Sequence, residues 1–196
     1  MGLFDRLEDV AERWDVLRHP FYTRWNRGEL HREELAFYAG EYRHLVVALS
    51  RTARASSDAE HAAEEAEHVE LWDAFARALS ADVARPPRPE TVSAAAAWTA
   101  SGLEGVAVLH AVESAQPAIS RTKLDGLLRH YGFDEDDGTR YFRVHAVLDE
   151  EHAARTREVL EAKAPAADED RLVASAQRAL RGNWVLLDGV DRQFGG

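Results

Sequence analysis

The sequence predicts an all-α protein, a bundle of about seven helices in one domain over residues 1–196. Three observations predict it. Apolar residues recur at three- and four-residue spacing through most of the chain, the period of a helix with one buried face. No stretch alternates apolar and polar residues as a half-buried strand does. No internal repeat is evident, and 196 residues are enough for one sizeable core.

The elements follow in order. Residues 3–17 place Leu3, Phe4, Leu7, Val10, Ala11, Trp14 and Leu17 at helical spacing, and Pro20 is expected to end this helix. HPFYTRWNRGEL (19–30) is dense in aromatics and closed by Gly28; Tyr22 and Trp25, three apart, share a face of a short helix. Trp25 reads as core. For Tyr22, a core role and a functional one are both open. Residues 32–55 carry Leu35, Tyr38, Ala39, Tyr42, Leu45, Val46 and Leu49 on one side. Ser56, Ser57 and Asp58 form a break with an N-cap before the helix 59–80. The Pro-rich stretch 81–90 is the clearest linker, too short for a domain boundary. Residues 91–100 are Ala-rich and helical, with a kink at Ser101–Gly102. In 102–132, Pro117 should kink or restart the helix. GFDEDDG (132–138) is an acidic turn without the ligand spacing of a calcium loop. Helices over 139–163 and 171–193 complete the chain.

Composition narrows the function. A net charge of −11 argues against a nucleic-acid partner, which requires clustered Lys and Arg. The absence of Cys excludes disulfides, thiolate metal sites and thiol nucleophiles. The start, MGLFDRLEDV, lacks the apolar core of a signal peptide, and no run reaches membrane-spanning length. A cytoplasmic protein with no membrane partner is expected, and a homodimer is the default assembly.

The chemistry concentrates in RVHAVLDEEH (143–152). His145, Asp149 and His152 stand at i, i+4 and i+7, so they stack on one helical face. That face continues through Tyr141, Leu148, Thr156, Val159 and Leu160 and should be buried. A buried carboxylate needs a partner, and three metal-type ligands in a row suggest an ion. The plain alternative is a solvated polar face. A second helix repeats the pattern: His61, Glu65 and His68 are again at i, i+4 and i+7 on the stripe of Leu71, Trp72, Phe75 and Leu79. Glu113 lies in an otherwise apolar helix, as a ligand or in a salt bridge to Lys123 or an Arg. Lys123 sits among Ile119, Leu124 and Leu127, pointing inward or, as lysines usually do, to the surface.

With these residues in place, the sequence resembles the haem-oxygenase-like di-iron oxidases and oxygenases. It most resembles their para-aminobenzoate-forming, death-domain-associating group. The resemblance spans nearly the whole chain through HPFYTRWNRGEL, HVELW (68–72), ESAQPAISRTKLDGL (113–127) and HAVLDEEH (145–152). It implies a seven-helix TenA/PqqC-like fold, two iron ions (or manganese) and O₂ as co-substrate. The implied ligands include His68, Glu113, His145, Asp149 and His152. It also implies that Tyr22 is a self-sacrificed ring source and that Lys123 takes part in forming para-aminobenzoate.

One departure matters. The family's first ligand is a Glu seven residues before the histidine of HVELW, and here that position is His61. Either His61 ligates, or Glu65 or Glu64 takes over one turn below His68. Glu65 is preferred, because two ferrous ions need carboxylates to balance their charge, and a Glu and His at i and i+3 reach one centre in di-iron bundles. Three functions are therefore in view. The first is a metal-dependent oxidase acting on its own tyrosine. The others are an oxidase of another small molecule on the same fold, and a non-enzymatic metal-binding or interaction protein.

Overall fold

In a computed structural model, residues 2–165 and 168–195 are described, and among them lie eight α-helices and no strand. They are α1 (Leu3–Arg13), α2 (Pro20–Arg27), α3 (Arg32–Ser56), α4 (Ala59–Ala78), α5 (Pro89–Trp98), α6 (Gly102–His130), α7 (Arg140–Lys163) and α8 (Glu169–Phe194). The expected number was about seven. The count reaches eight because the short helix expected in the aromatic segment after residue 19 stands as α2 in its own right. Local chemistry explains it. The His19 side chain accepts the Phe21 N–H at 3.1 Å as an N-cap, and Pro20 occupies the first turn. Gly28 closes the helix at φ +69°, a left-handed conformation that glycine adopts without strain.

Pro20 thus starts a helix instead of ending one. The first helix stops at Arg13 and is followed by a 3₁₀ turn, Val16–Arg18, capped by Asp15 accepting from Leu17 N at 3.0 Å. Pro117 does not interrupt α6. It is buried, and the helix packs along its length against α7 and α8, which outweighs one lost hydrogen bond. The lost bond is the one that the Glu113 carbonyl would accept, four residues back. The break at Ser101–Gly102 is complete: α5 and α6 meet at 116°. Among the described residues no single helix is long and apolar enough to cross a membrane.

Two cores hold the bundle. The larger is aromatic and joins α2, α3, α4, α5, α6 and α7 through Trp25, Tyr38, Tyr42, Trp72, Trp98 and Tyr141, among others. The smaller packs Leu3, Leu7 and Val10 of α1 on Val106 and Ala111 of α6 and on Leu172, Ala176 and Leu180 of α8. Three indole N–H groups pin helices together across the larger core. Trp72 donates to the Ala39 carbonyl at 2.8 Å, Trp98 to Ala179 at 2.9 Å and Trp25 to Lys123 at 3.2 Å. Each satisfies a buried donor that would otherwise be costly.

The last of these contacts positions Lys123 and depends on Gly126. A Cβ there would come within 2.4 Å of Trp25 Nε1. Gly126→Ala is therefore expected to destabilise the protein by about 1–3 kcal/mol through overpacking, despite the better helix propensity of Ala. A chemical-denaturation midpoint equal to or above wild type would show that Trp25 can yield.

Candidate metal centre

Helices α4, α6 and α7 bring the candidate ligands together in the interior. Asp58 caps α4 by accepting the His61 N–H at 3.0 Å, which sets His61, Glu65 and His68 on the inward stripe. His61, Glu65, His68, Glu113, His145, Asp149 and His152 are all at most 3% exposed. Ligand atoms of His61, Glu65, Glu113 and His152 lie within 4.8 Å of one another, and so do those of Glu65, His68 and His145. Glu65 belongs to both sets. The arrangement is thus two adjacent four- and three-residue groups joined by one carboxylate.

The polar atoms here are poorly satisfied by the protein itself. Both nitrogens of His61, Glu113 Oε1, both oxygens of Asp149 and His152 Nδ1 are buried without a hydrogen-bond partner. His61 Nε2 and Glu113 Oε1 nevertheless stand 2.9 Å apart. Two neighbouring ligands on one ion with bonds of about 2.1 Å are separated by about 3 Å. Folded proteins leave few buried polar atoms unpaired, and a cluster of them needs an unseen partner. The donor set of imidazoles and carboxylates, with no thiolate, suits iron or manganese. The residues present therefore fit a metal centre.

Hydrogen bonds behind the ligands fix which nitrogen faces inward. His145 donates from Nδ1 to the Tyr141 carbonyl at 2.7 Å, which leaves Nε2 as the free lone pair. His152 Nε2 donates to Glu64 at 2.9 Å, which leaves Nδ1 facing Asp149 at 3.5 Å and Glu65 at 3.8 Å. Glu64, weighed from the sequence as a substitute ligand, thus sits behind His152 and orients it. His68 donates from Nδ1 to Glu65 at 2.9 Å. Thr156 donates to Glu113 Oε2 at 3.3 Å.

Electrostatics without an ion show the cost of the assembly. Burial, with His68 beside it, pushes His145 down to about 3, so its imidazole is neutral and ready to ligate. Burial raises Asp149 to about 7 against the opposing His152 contact, with Glu65 and Glu113 adding repulsion. Glu113 is raised by burial as well, partly offset by His61. Burial works against Glu65 too, but the His68 hydrogen bond and the His68, His145 and His61 rings hold it below its ordinary value. A cation would relieve all three carboxylates.

Lys123 and Tyr22 lie deeper, toward α2 and α3, and both are 0% exposed. Lys123 Nζ has no hydrogen-bond partner. It sits 4.4 Å from the ring centre of Tyr42, 5.3 Å from Tyr38, 5.4 Å from Trp72 and 5.8 Å from Tyr22. Burial lowers its pKa well below 10.5. The hydroxyls of Tyr22 and Tyr38 are likewise unpaired. The cage reaches the ligands through Tyr42 and Tyr141, which line a cavity of about 10 Å³ with Glu65, Glu113, His145 and Asp149. Tyr141 stacks on the His145 ring at 3.8 Å. Gln116, which the sequence reading passed over, donates to the Tyr141 hydroxyl at 3.3 Å. Its place three residues after Glu113 on the same helical face is the signal that could have found it.

Two outcomes are expected. Glu65→Gln should lower iron content at both positions, to below that of His61→Ala or His145→Ala, measured as iron per chain by elemental analysis. Undiminished iron in Glu65→Gln would exclude the shared carboxylate. The second outcome concerns Lys123. Its folded pKa is depressed, so folding releases a proton that the unfolded chain holds up to pH 10.5. The penalty is greatest at lower pH and vanishes as pH rises to that value. Lys123→Met should therefore melt higher than wild type at pH 7, with a gain that shrinks toward pH 10. A gain independent of pH would mean that the amine is not held neutral by burial.

Known proteins resemble this chain along nearly its whole length. The chain is 29% identical to a 4-aminobenzoate synthase of Nitrosomonas europaea, over 96% of this chain and 91% of that protein. It is 28% identical to the 4-aminobenzoate synthase of Chlamydia trachomatis, over 96% and 91%. Among solved structures it resembles a Shewanella denitrificans domain with a haem oxygenase-like fold, at a TM-score of 0.79 and 19% identity over 100% of this chain and 94% of that one. It also resembles a TenA homologue from P. horikoshii, at a TM-score of 0.73 and 16% identity over 98% and 99%. These two show the fold. The family model described as iron-containing redox enzyme matches residues 48–184, which span α4 to α7 with every candidate ligand, and the chain belongs to that family.

Proposed function

We propose that this protein is an O₂-dependent oxidase that holds two iron ions between α4, α6 and α7 and forms 4-aminobenzoate from its own Tyr22. The observation that carries this reading is the Lys123 amine. Burial disfavours its charged form, and it lacks a hydrogen-bond partner and is enclosed by tyrosines one layer from the carboxylate and imidazole cluster. A purely structural role does not explain a lysine there, since burying an amine without a partner costs stability. The names of the Nitrosomonas and Chlamydia relatives support the same product class.

On this reading the chain's residues take the following roles. Two ferrous ions, when bound, would supply reduction of O₂ and oxidation of a phenol. His61, Glu113 and His152 would hold one ion, His68 and His145 the other, with Glu65 between them and Asp149 beside His152. The cavity among them, at about 10 Å³, has room for little more than one water-sized molecule. An organic substrate supplied by the protein's own interior fits that constraint. Tyr141, Trp72, Tyr42 and Tyr38 form a continuous line of aromatic contacts at 4.8, 4.8 and 5.4 Å from the ligand side to the Tyr22 side. Lys123, as a neutral amine, has a lone pair for use as base or nitrogen donor. The dry aromatic cage keeps water from competing with it.

The test is single-turnover exposure of reduced, iron-loaded protein to O₂. Release of 4-aminobenzoate and a mass loss localised to Tyr22 are expected. Tyr22→Phe and Lys123→Ala should abolish both, while Tyr131→Phe, outside the cage, should not. Product formation that survives Tyr22→Phe and Lys123→Ala would refute the self-sacrificing reaction and leave iron binding untouched.

A further inference from the structure

The metal cavity is not the only space at this end of the bundle. An apolar cleft of about 290 Å³ opens between the turn after α1, α6 and α8. That volume lies at the lower limit of small-molecule pockets, roughly 300 Å³, and so suits a single ring better than a larger ligand. Trp98, Val112 and Gln116 line both this cleft and the metal cavity, so one layer of side chains separates the two. Two buried polar atoms on the cleft's walls are unsatisfied: Trp14 Nε1 and Asn183 Oδ1. Asn183 is 4% exposed. Arg18, which lines the cleft beside Glu12 and Asp15, pairs with the Asp15 carboxylate at 3.3 Å and is largely exposed.

We infer that this cleft binds a single-ring aromatic acid carrying a hydrogen-bond donor at its far end. The apolar walls, with Trp14 and Trp98 among them, take the ring. The Trp14 N–H and the Arg18 guanidinium meet the carboxylate, and Asn183 Oδ1 accepts from the amine or hydroxyl. Buried polar atoms on an apolar wall set the orientation of such a ligand and reject analogues that leave them unpaired. The inference rests on the proposed function in one respect, since the product named there belongs to this class and must leave the closed interior around Tyr22. The cleft is then its first resting place on the way out, behind Gln116.

The experiment is isothermal titration of the intact, iron-containing protein with 4-aminobenzoate, benzoate and aniline. Saturable one-to-one binding is expected for 4-aminobenzoate, weaker for benzoate and weakest for aniline. Ala115→Phe, which fills the cleft, should weaken 4-aminobenzoate by at least about tenfold with iron content and helical signal unchanged. Asn183→Leu should weaken 4-aminobenzoate but not benzoate, and it decides the matter alone if Ala115→Phe fails to fold. Absence of saturation in the millimolar range, or binding unaltered by both variants, overturns the inference. Each failure is separate: product released without cleft binding removes the cleft and keeps the reaction, and cleft binding without product does the reverse.

Discussion

The interior of this bundle is organised around an imbalance of charge. Glu65, Glu113 and Asp149 are withdrawn from water within one cluster, and the four histidines around them cannot all be protonated. Removing a carboxylate from water costs several kcal/mol, and the His145 imidazole, held neutral by burial, repays little of it. Metal cations held among them would restore the balance. The helices obey that demand: α4 is capped so that its stripe starts at His61, α6 carries Glu113 through a proline, and α7 presents three ligands in two turns. The hydrophobic core would form without these residues, but it would form more cheaply with apolar ones in their place. Their retention is therefore a signature of use.

Much of this was legible in the sequence for a simple reason. Helical spacing converts directly into a face, and a ligand on an apolar face is anomalous whatever it packs against. His145, Asp149 and His152 announced themselves in that way, and so did His61, Glu65 and His68. The departure at His61 was also visible, with Glu65 favoured for the missing carboxylate; the structure sets both in one cluster instead of choosing between them. What spacing could not give was direction across helices. Glu64 was weighed as a ligand, yet it faces the outer nitrogen of His152. Gln116 carries only a weak signal, its spacing of three from Glu113, and its partner Tyr141 lies on another helix. Pro20 reads in the sequence as a terminator and Pro117 as a kink or restart. Each had a compensation invisible in one dimension, a histidine cap for the first and extensive packing on α7 and α8 for the second.

The aromatic cage and the metal cluster are coupled by dryness more than by contact. Lys123 donates to nothing, and its neighbours are ring faces whose quadrupoles attract a cation only weakly compared with water. Such a site selects the neutral amine, the form in which nitrogen has a lone pair to give. The same exclusion of water strengthens every interaction among the ligands next door. Tyr42 and Tyr141 serve both neighbourhoods, with one edge toward the amine's cage and the other toward Glu65 and Asp149.

Tyr22 is packed against Phe21 and Trp25 at the base of the larger core, with no exposed surface. A chain that gave up this ring would keep a void where an aromatic side chain had been. Comparable truncations in protein cores cost about 3–5 kcal/mol, a large part of the roughly 5–15 kcal/mol that holds a typical domain together. The spent molecule would therefore be marked by its own loosened interior, opening more often and meeting proteases sooner than a fresh one. Supply of product would then be metered by protein synthesis, one ring per chain, and the used scaffold would return to the amino-acid pool without a dedicated signal for its removal.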